Sequence, residues 1–242
     1  MADPADICPR PQKPPELATR PHATPIYPAS VWECASPGQA DAVLGGQEAG
    51  YVYQRDGHPN AQVLVEKLKQ LHGAEQGIIT GSGMGALAAA LLALLRAGDH
   101  VVIGSRMYGK TLALFQGEAS RLGIDVSSVD TCDVAAVKGA IGPRTKLIVA
   151  ETIANPLLEV VDVAAVAQLA RTSGAALLID NTFASPLLCR PLKLGANLVM
   201  ESLTKTLNGH SDVILGFLGG EKQVWDRVPT VVSTLGLASA PF

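Results

Sequence analysis

An α/β fold, a mostly parallel sheet with helices on both faces, is what this 242-residue chain predicts, on three observations. Short apolar runs at 77–80, 100–104, 125–129, 146–151, 176–180 and 197–200 lack the polar alternation of a half-exposed sheet. Helix-spaced segments separate most of these runs, the order that βαβ units leave in a sequence. Polar clusters stand just past the run ends, where open α/β sheets place their ligands.

In chain order, residues 1–60 read as an N-terminal arm and interface segment, and 61–242 as the folded domain. The stretch from Met1 to Pro25 is rich in proline and charge and lacks the apolar core of a signal peptide. Residues 26–33 read as a short extended piece, and 36–50, with four glycines and a proline, as loop or frayed helix. The segment Tyr51 to Asn60 carries two tyrosines and Arg55, a mixture common at binding surfaces and interfaces, and equally found in surface turns. Asn60 is placed to cap a helix running to His72, with Val63, Leu64, Leu68 and Leu71 on one face and Gly73 as its stop. Further helices are expected to start near Lys110, Asp133 and Asp162. Residues 213–218 read as an antiparallel return strand, and 224–242 as helical and then irregular.

Composition narrows the function. Hydrophobic residues at 48% and charged residues at 17% describe a chain with a large core. A net charge of −3 without a basic block tells against nucleic acid and against an anionic membrane surface. The longest apolar run, Ala86 to Leu95, is about half the ~20 residues a membrane span needs. The cysteines at 8, 34, 132 and 189 have neither C-x-x-C nor metal-ligand spacing, and read as reduced thiols of a cytoplasmic protein. Histidines 22, 58, 72, 100 and 210 show no ligand spacing either, so no metal is expected.

The polar clusters carry the chemistry. Gly81-Ser82-Gly83-Met84-Gly85 joins a strand to a long Ala/Leu helix, and the free N–H groups and dipole of a helix start suit an anion. No Gly-Lys-Ser/Thr follows, and glycines two apart are not a G-x-G-x-x-G fingerprint. Tyr108 and Asn155 follow two other strands. Asp180 ends a very apolar one, where a buried carboxylate needs a cationic or hydrogen-bonding partner; an Asx-turn would satisfy it locally. Lys205 follows the last parallel run, beside Ser202 and Thr204. Pyridoxal phosphate uses all of these: its phosphate needs N–H donors, its ring face an aromatic, its ring nitrogen a carboxylate, and its aldehyde a lysine for a Schiff base. A dinucleotide accounts for the glycine turn alone, and Gly104-Ser105-Arg106 stands where its acidic residue belongs.

Tyr53-x-Arg55, Ser82-Gly83-Met84, Tyr108-Gly109, Glu151-Thr152-x-x-Asn155-Pro156, Asp180-Asn181-Thr182-Phe183-x-Ser185-Pro186 and Ser202-x-Thr204-Lys205-x-x-x-Gly209-His210-x-Asp212 occur together and in order. This set resembles the Cys/Met-metabolism, cystathionine γ-synthase-like family of pyridoxal-phosphate enzymes. The resemblance implies the large domain of pyridoxal-phosphate fold type I, without the family's C-terminal domain. It implies Lys205 as Schiff-base lysine and proton carrier, Asp180 on the ring nitrogen, and Tyr108 stacked on the ring and helping to activate the amino acid. Ser82, Gly83, Met84, Ser202 and Thr204 would hold the phosphate, and Asn155 would lie near the ring hydroxyl. Tyr53 and Arg55 would complete the neighbouring subunit's site, implying a homodimer or homotetramer. The implied reaction is transsulfuration: β- or γ-elimination, or γ-replacement, on cystathionine, cysteine or O-acyl-homoserine. The alternative is a truncated cofactor-binding or assembly module without catalysis of its own. Lys110 stands where methionine γ-lyases carry cysteine, which tells against that activity. Lys205 is expected to be buried near cations, as a nucleophilic lysine requires.

Overall fold

Successive residues of a strand point to opposite faces, and in the central strands nearly all of them are apolar, so the sheet must be covered twice. The computed structural model describes residues 18–19 and 21–240. Its strands are β1 (Gln76–Thr80), β2 (His100–Gly104), β3 (Asp125–Val129), β4 (Thr145–Glu151), β5 (Ala176–Asp180), β6 (Leu198–Ser202) and β7 (Gly216–Gly220). They form one seven-stranded sheet in the order β1-β7-β6-β5-β4-β2-β3. Only β7 runs against its neighbours, β1 and β6.

Helices are α1 (Pro37–Leu44), α2 (Pro59–His72), α3 (Gly83–Leu94), α4 (Gly109–Leu112), α5 (Val134–Ala140), α6 (Val163–Ser173), α7 (Ser185–Leu188) and α8 (Val228–Thr234). One face of the sheet, with Val101, Ile103, Leu147, Val149, Leu178 and Met200, packs on α3 and α8. The other face, with Val102, Ile148, Leu177 and Ile179, packs on α5 and α6. Ile179 pairs with Val199, so α2, which packs on Val199, Ile79 and Phe217, extends that same cover. The predicted α/β class and double cover are therefore present, and strand positions agree within a few residues.

Several expectations are corrected. The return strand is antiparallel as expected but lies at Gly216–Gly220, sharing 216–218 with the expected 213–218 run and shifted toward its glycines, which let β7 press against the segments beside it. The stretch 36–50 holds a true helix, α1, capped by Ser36, whose Oγ accepts from Gln39 N at 3.2 Å. Asn60 does not cap α2. His58 Nδ1 accepts from Asn60 N at 3.2 Å, and Pro59 opens the helix. The Asn60 side chain instead ties down the arm, accepting from Tyr27 N and donating to Pro25 O, both at 2.9 Å. Val63 and Leu71 are exposed, and the buried face of α2 is Val65, Leu68 and His72. The helix expected near Lys110 begins at Gly109 and widens into a π-helix over Ala113–Ala119, which buries Phe115 and Ala119. Of 26–33 only Val31 makes a bridge, to Tyr53. Most of the Met1–Pro25 arm, residues 1–17 and 20, lies outside the described residues, as does Cys8. Cys34, Cys132 and Cys189 are free thiols. Among the described residues no helix is long and apolar enough to cross a membrane.

Candidate functional site

Because β1, β2, β4, β5 and β6 run parallel, the segments that follow them converge at one end of the sheet. There they enclose a cleft of about 260 Å³. Of the eleven candidate residues, Ser82, Gly83, Met84, Tyr108, Asn155, Asp180, Ser202, Thr204 and Lys205 all line it. Tyr53 and Arg55 do not. They sit together on the surface, both exposed, with the Arg55 guanidinium 4.9 Å above the Tyr53 ring.

At one end of the cleft α3 starts at Gly83. Ser82 caps it, its Oγ accepting from Gly85 N at 3.0 Å. The Gly83 and Met84 N–H groups, first in the helix, have no intrahelical acceptor and are available to an anion. The Ser82 hydroxyl thus has a local task, and the backbone carries the anion-binding capacity of the turn.

At the middle lies Asp180, the last residue of β5, only 9% exposed. Thr182 N and Oγ1 both donate to its Oδ1, at 3.0 and 2.6 Å. Burial pushes its pKa up to about 7; the Thr182 hydrogen bonds oppose this, and the nearby Glu151 and Glu201 add to it. Among the described residues no cationic side chain pairs with it.

Beyond it stand Tyr108 and Asn155. Glu151, a buried carboxylate at the end of β4, takes the Tyr108 N–H on Oε1 at 2.7 Å and the Asn155 N–H on Oε2 at 3.0 Å. Burial raises its proton affinity, and those two donors lower it. Arg106 turns away from the cleft and pairs with Asp130 and Glu159.

Lys205 contradicts the expectation of burial: its side chain is exposed. The turn after β6 lifts it above the strand ends, while Leu203 stays in the core. Thr204 lines the cleft, yet its hydroxyl accepts from Leu215 N at 3.1 Å and donates to Leu215 O at 3.3 Å, which closes the base of this loop.

The sequence matches the family described as Cys/Met metabolism PLP-dependent enzyme over residues 8–242. The chain belongs to that family. It is 42% identical over 210 residues to L-methionine gamma-lyase of Porphyromonas gingivalis, covering 86% of this chain and 53% of that protein. It is 36% identical over 221 residues to O-succinylhomoserine sulfhydrylase of Pseudomonas aeruginosa, covering 91% of this chain and 55% of that protein. A solved chain from Campylobacter jejuni, which carries a pyridoxyl-lysine monophosphate, superposes with a TM-score of 0.85 at 27% identity, over 90% of this chain and 62% of that one. The chain spans about half the length of the curated relatives it matches first. Fold-type-I architecture, expected from the resemblance, is that of these neighbours.

The cleft passes a test of fit to this family's cofactor on its own chemistry. Asp180 is a buried carboxylate whose hydrogen bonds fall on one oxygen, and it lacks a cation; a protonated ring nitrogen is the group such a site wants. Two residues escaped the sequence reading. Thr182 satisfies Asp180 and also accepts from Ser202 N at 2.9 Å. Glu151 was legible only as part of a motif, since its partners lie 43 residues before it and four after it.

Proposed function

We propose that this chain holds pyridoxal 5'-phosphate and that the protein performs transsulfuration-type chemistry on a sulfur amino acid or activated homoserine. The carrying observation is that, among the described residues of the cleft, Lys205 has the only cationic side chain and Asp180 is a buried carboxylate short of a cation. When bound, the cofactor supplies an electron sink for a carbanion next to the amino-bearing carbon. Gly83 and Met84 N–H, with Ser202 beside them, would hold the phosphate, while Thr204, its hydroxyl engaged by Leu215, shapes the loop below it; Asp180 Oδ2 would hold the ring-nitrogen proton, Tyr108 would cover the ring, and Asn155 would border its hydroxyl. Lys205 Nζ would attach the cofactor and carry protons between substrate carbons. Its exposed, polar-tethered loop lets the amine leave and return. Phe183, Ile153 and Ile214 add apolar side chains to the lining of the cleft.

Lyase and replacement reactions share these steps, so both belong to the proposal. Lys110 is exposed and outside the cleft lining, which leaves γ-elimination of methionine among the candidates. We further propose that the segment around Tyr53 and Arg55 is an interface through which these two residues complete a neighbouring subunit's site, in a homodimer or homotetramer. A cytoplasmic location accords with the free thiols at 34, 132 and 189.

A second reading, a module that holds the cofactor without turnover, draws support from the exposure of Lys205 and from the lack of an arginine for a substrate carboxylate among the described cleft residues. One experiment separates the two. The chain is mixed with pyridoxal phosphate, and the visible band, ammonia, 2-oxo acid and cystathionine are scored on methionine, cystathionine, cysteine and O-acyl-homoserine. A band with product supports the enzyme, a band alone supports the module, and no band defeats both.

A further inference from the structure

We propose that Glu151 is a positioning residue that fixes the tyrosine side of the cleft to its asparagine side, so that the two move as one body. The proposal deepens the cofactor reading above and rests on it. Tyr108 belongs to the segment after β2 and Asn155 to the segment after β4, and no hydrogen bond joins them directly. One carboxylate joins them instead: Oε1 accepts from Tyr108 N at 2.7 Å, and Oε2 from Asn155 N at 3.0 Å. Among the described residues neither N–H has another acceptor. Glu151 is 7% exposed and its two N–H partners are part-buried, so a donor left there without an acceptor is costly.

The anchor of this clamp is stiff. Glu151 is the last residue of β4, in register with Asp180 of β5, so its backbone is fixed by the same ladder that fixes the ring-nitrogen partner. Geometry also explains why an acid stands here. Two N–H donors approach two different oxygens, and only a carboxylate presents two acceptors; an amide of the same shape presents one, and its NH₂ would face a second donor. The backbone at Tyr108 and at Asn155, from which the ring and the side-chain amide extend, is thereby held at a set spacing from Asp180. A ring placed between them would find its orientation already chosen, which lowers the cost of ordering on binding.

Glu151→Gln tests this on the chain itself. Amide hydrogen exchange is measured without cofactor, and visible circular dichroism after adding pyridoxal phosphate. In the variant, whichever of the Tyr108 and Asn155 amides meets the new NH₂ should exchange about tenfold faster or more. Amides of residues 147–150 should keep their protection, and the induced dichroism of the bound cofactor should lose amplitude. Unchanged exchange at both amides, unchanged dichroism, or loss of protection throughout β4 overturns the proposal, the last by making Glu151 a residue of the fold alone. Failure of the wild-type chain to develop a visible band defeats the cofactor reading instead, and leaves the exchange result to be judged separately.

Discussion

At one end of the cleft the Ser82-Gly83-Met84 turn is gripped by neighbouring backbone, whereas at the other end Lys205 rides an exposed loop held only at its base. A Cβ added at Gly216 of β7 would lie 2.2 Å from Ser82 O, and one at Gly83 would lie 2.9 Å from Ser202 Cβ. The turn is thus wedged between β6 and β7. The lysine loop is closed by Thr204 on Leu215 and by Asn208 Nδ2 donating to Asp212 Oδ1 at 2.7 Å, but residues 205–206 and 209–212 face solvent. Recognition of an anion needs a fixed shape, because backbone N–H groups cannot re-aim. An amine that must release and recapture its partner needs room.

The lysine end should give the largest effect. Lys205→Ala is expected to abolish the visible band that pyridoxal phosphate develops with the wild-type chain; an unchanged spectrum in the variant would sink the assignment.

Between the two ends, Asp180 offers a test by pH. In the cofactor-free chain burial holds its pKa at about 7 against an ordinary 3.8. The folded chain then keeps a proton that the unfolded chain has released, so this group's contribution is most favourable below about pH 4 and is lost as pH rises to about 7. The loss is on the order of 4 kcal/mol. Asp180→Asn should therefore stabilise the cofactor-free chain at about pH 8, an advantage that fades by about pH 4, and it should bind cofactor weakly. Urea melts at the two pH values check it; a variant no more stable at the higher pH would show that Asp180 is not strained.

At the anion end, Gly216→Ala probes the wedge. The added methyl would meet Ser82 O at 2.2 Å, so it should cost about 3 kcal/mol through displaced backbone. Denaturation of the variant measures it. A cost under about 1 kcal/mol would mean that the turn yields easily, and the contrast between the two ends would collapse.

Sequence reasoning reached the parallel strands and the segments after them because buried apolar runs announce themselves by composition. It anticipated Asp180 as a buried acid at a strand end, since an acid closing an apolar strand is conspicuous. It failed where the deciding contact is long in sequence. Nothing local distinguishes Glu151, whose meaning lies in two N–H groups brought together by the crossover after β4 and by β2 beside it. Thr204 has a hydroxyl that suits a phosphate, but only the return of β7 reveals that Leu215 occupies it. The exposure of Lys205 could not be read either, because a lysine in a short polar turn has the same sequence whether or not another surface covers it. Asn60 is a good capping residue by type, and His58 displaced it because Pro59 fixed where the helix begins.

The antiparallel strand β7 has a consequence in time. β1 stands at the edge of the sheet with β7 as its strand partner and one bridge from Thr80 to Ala238, although some 140 residues separate Gln76–Thr80 from Gly216–Gly220. Contacts that distant form slowly, after loop closure over nearly the whole domain. The glycine turn that follows β1 is therefore among the last pieces to find its place. As the chain emerges from the ribosome, β2, β3 and β4 can assemble while the anion seat is still open. Cofactor capture would then come as a final step, locking an edge that synthesis left waiting.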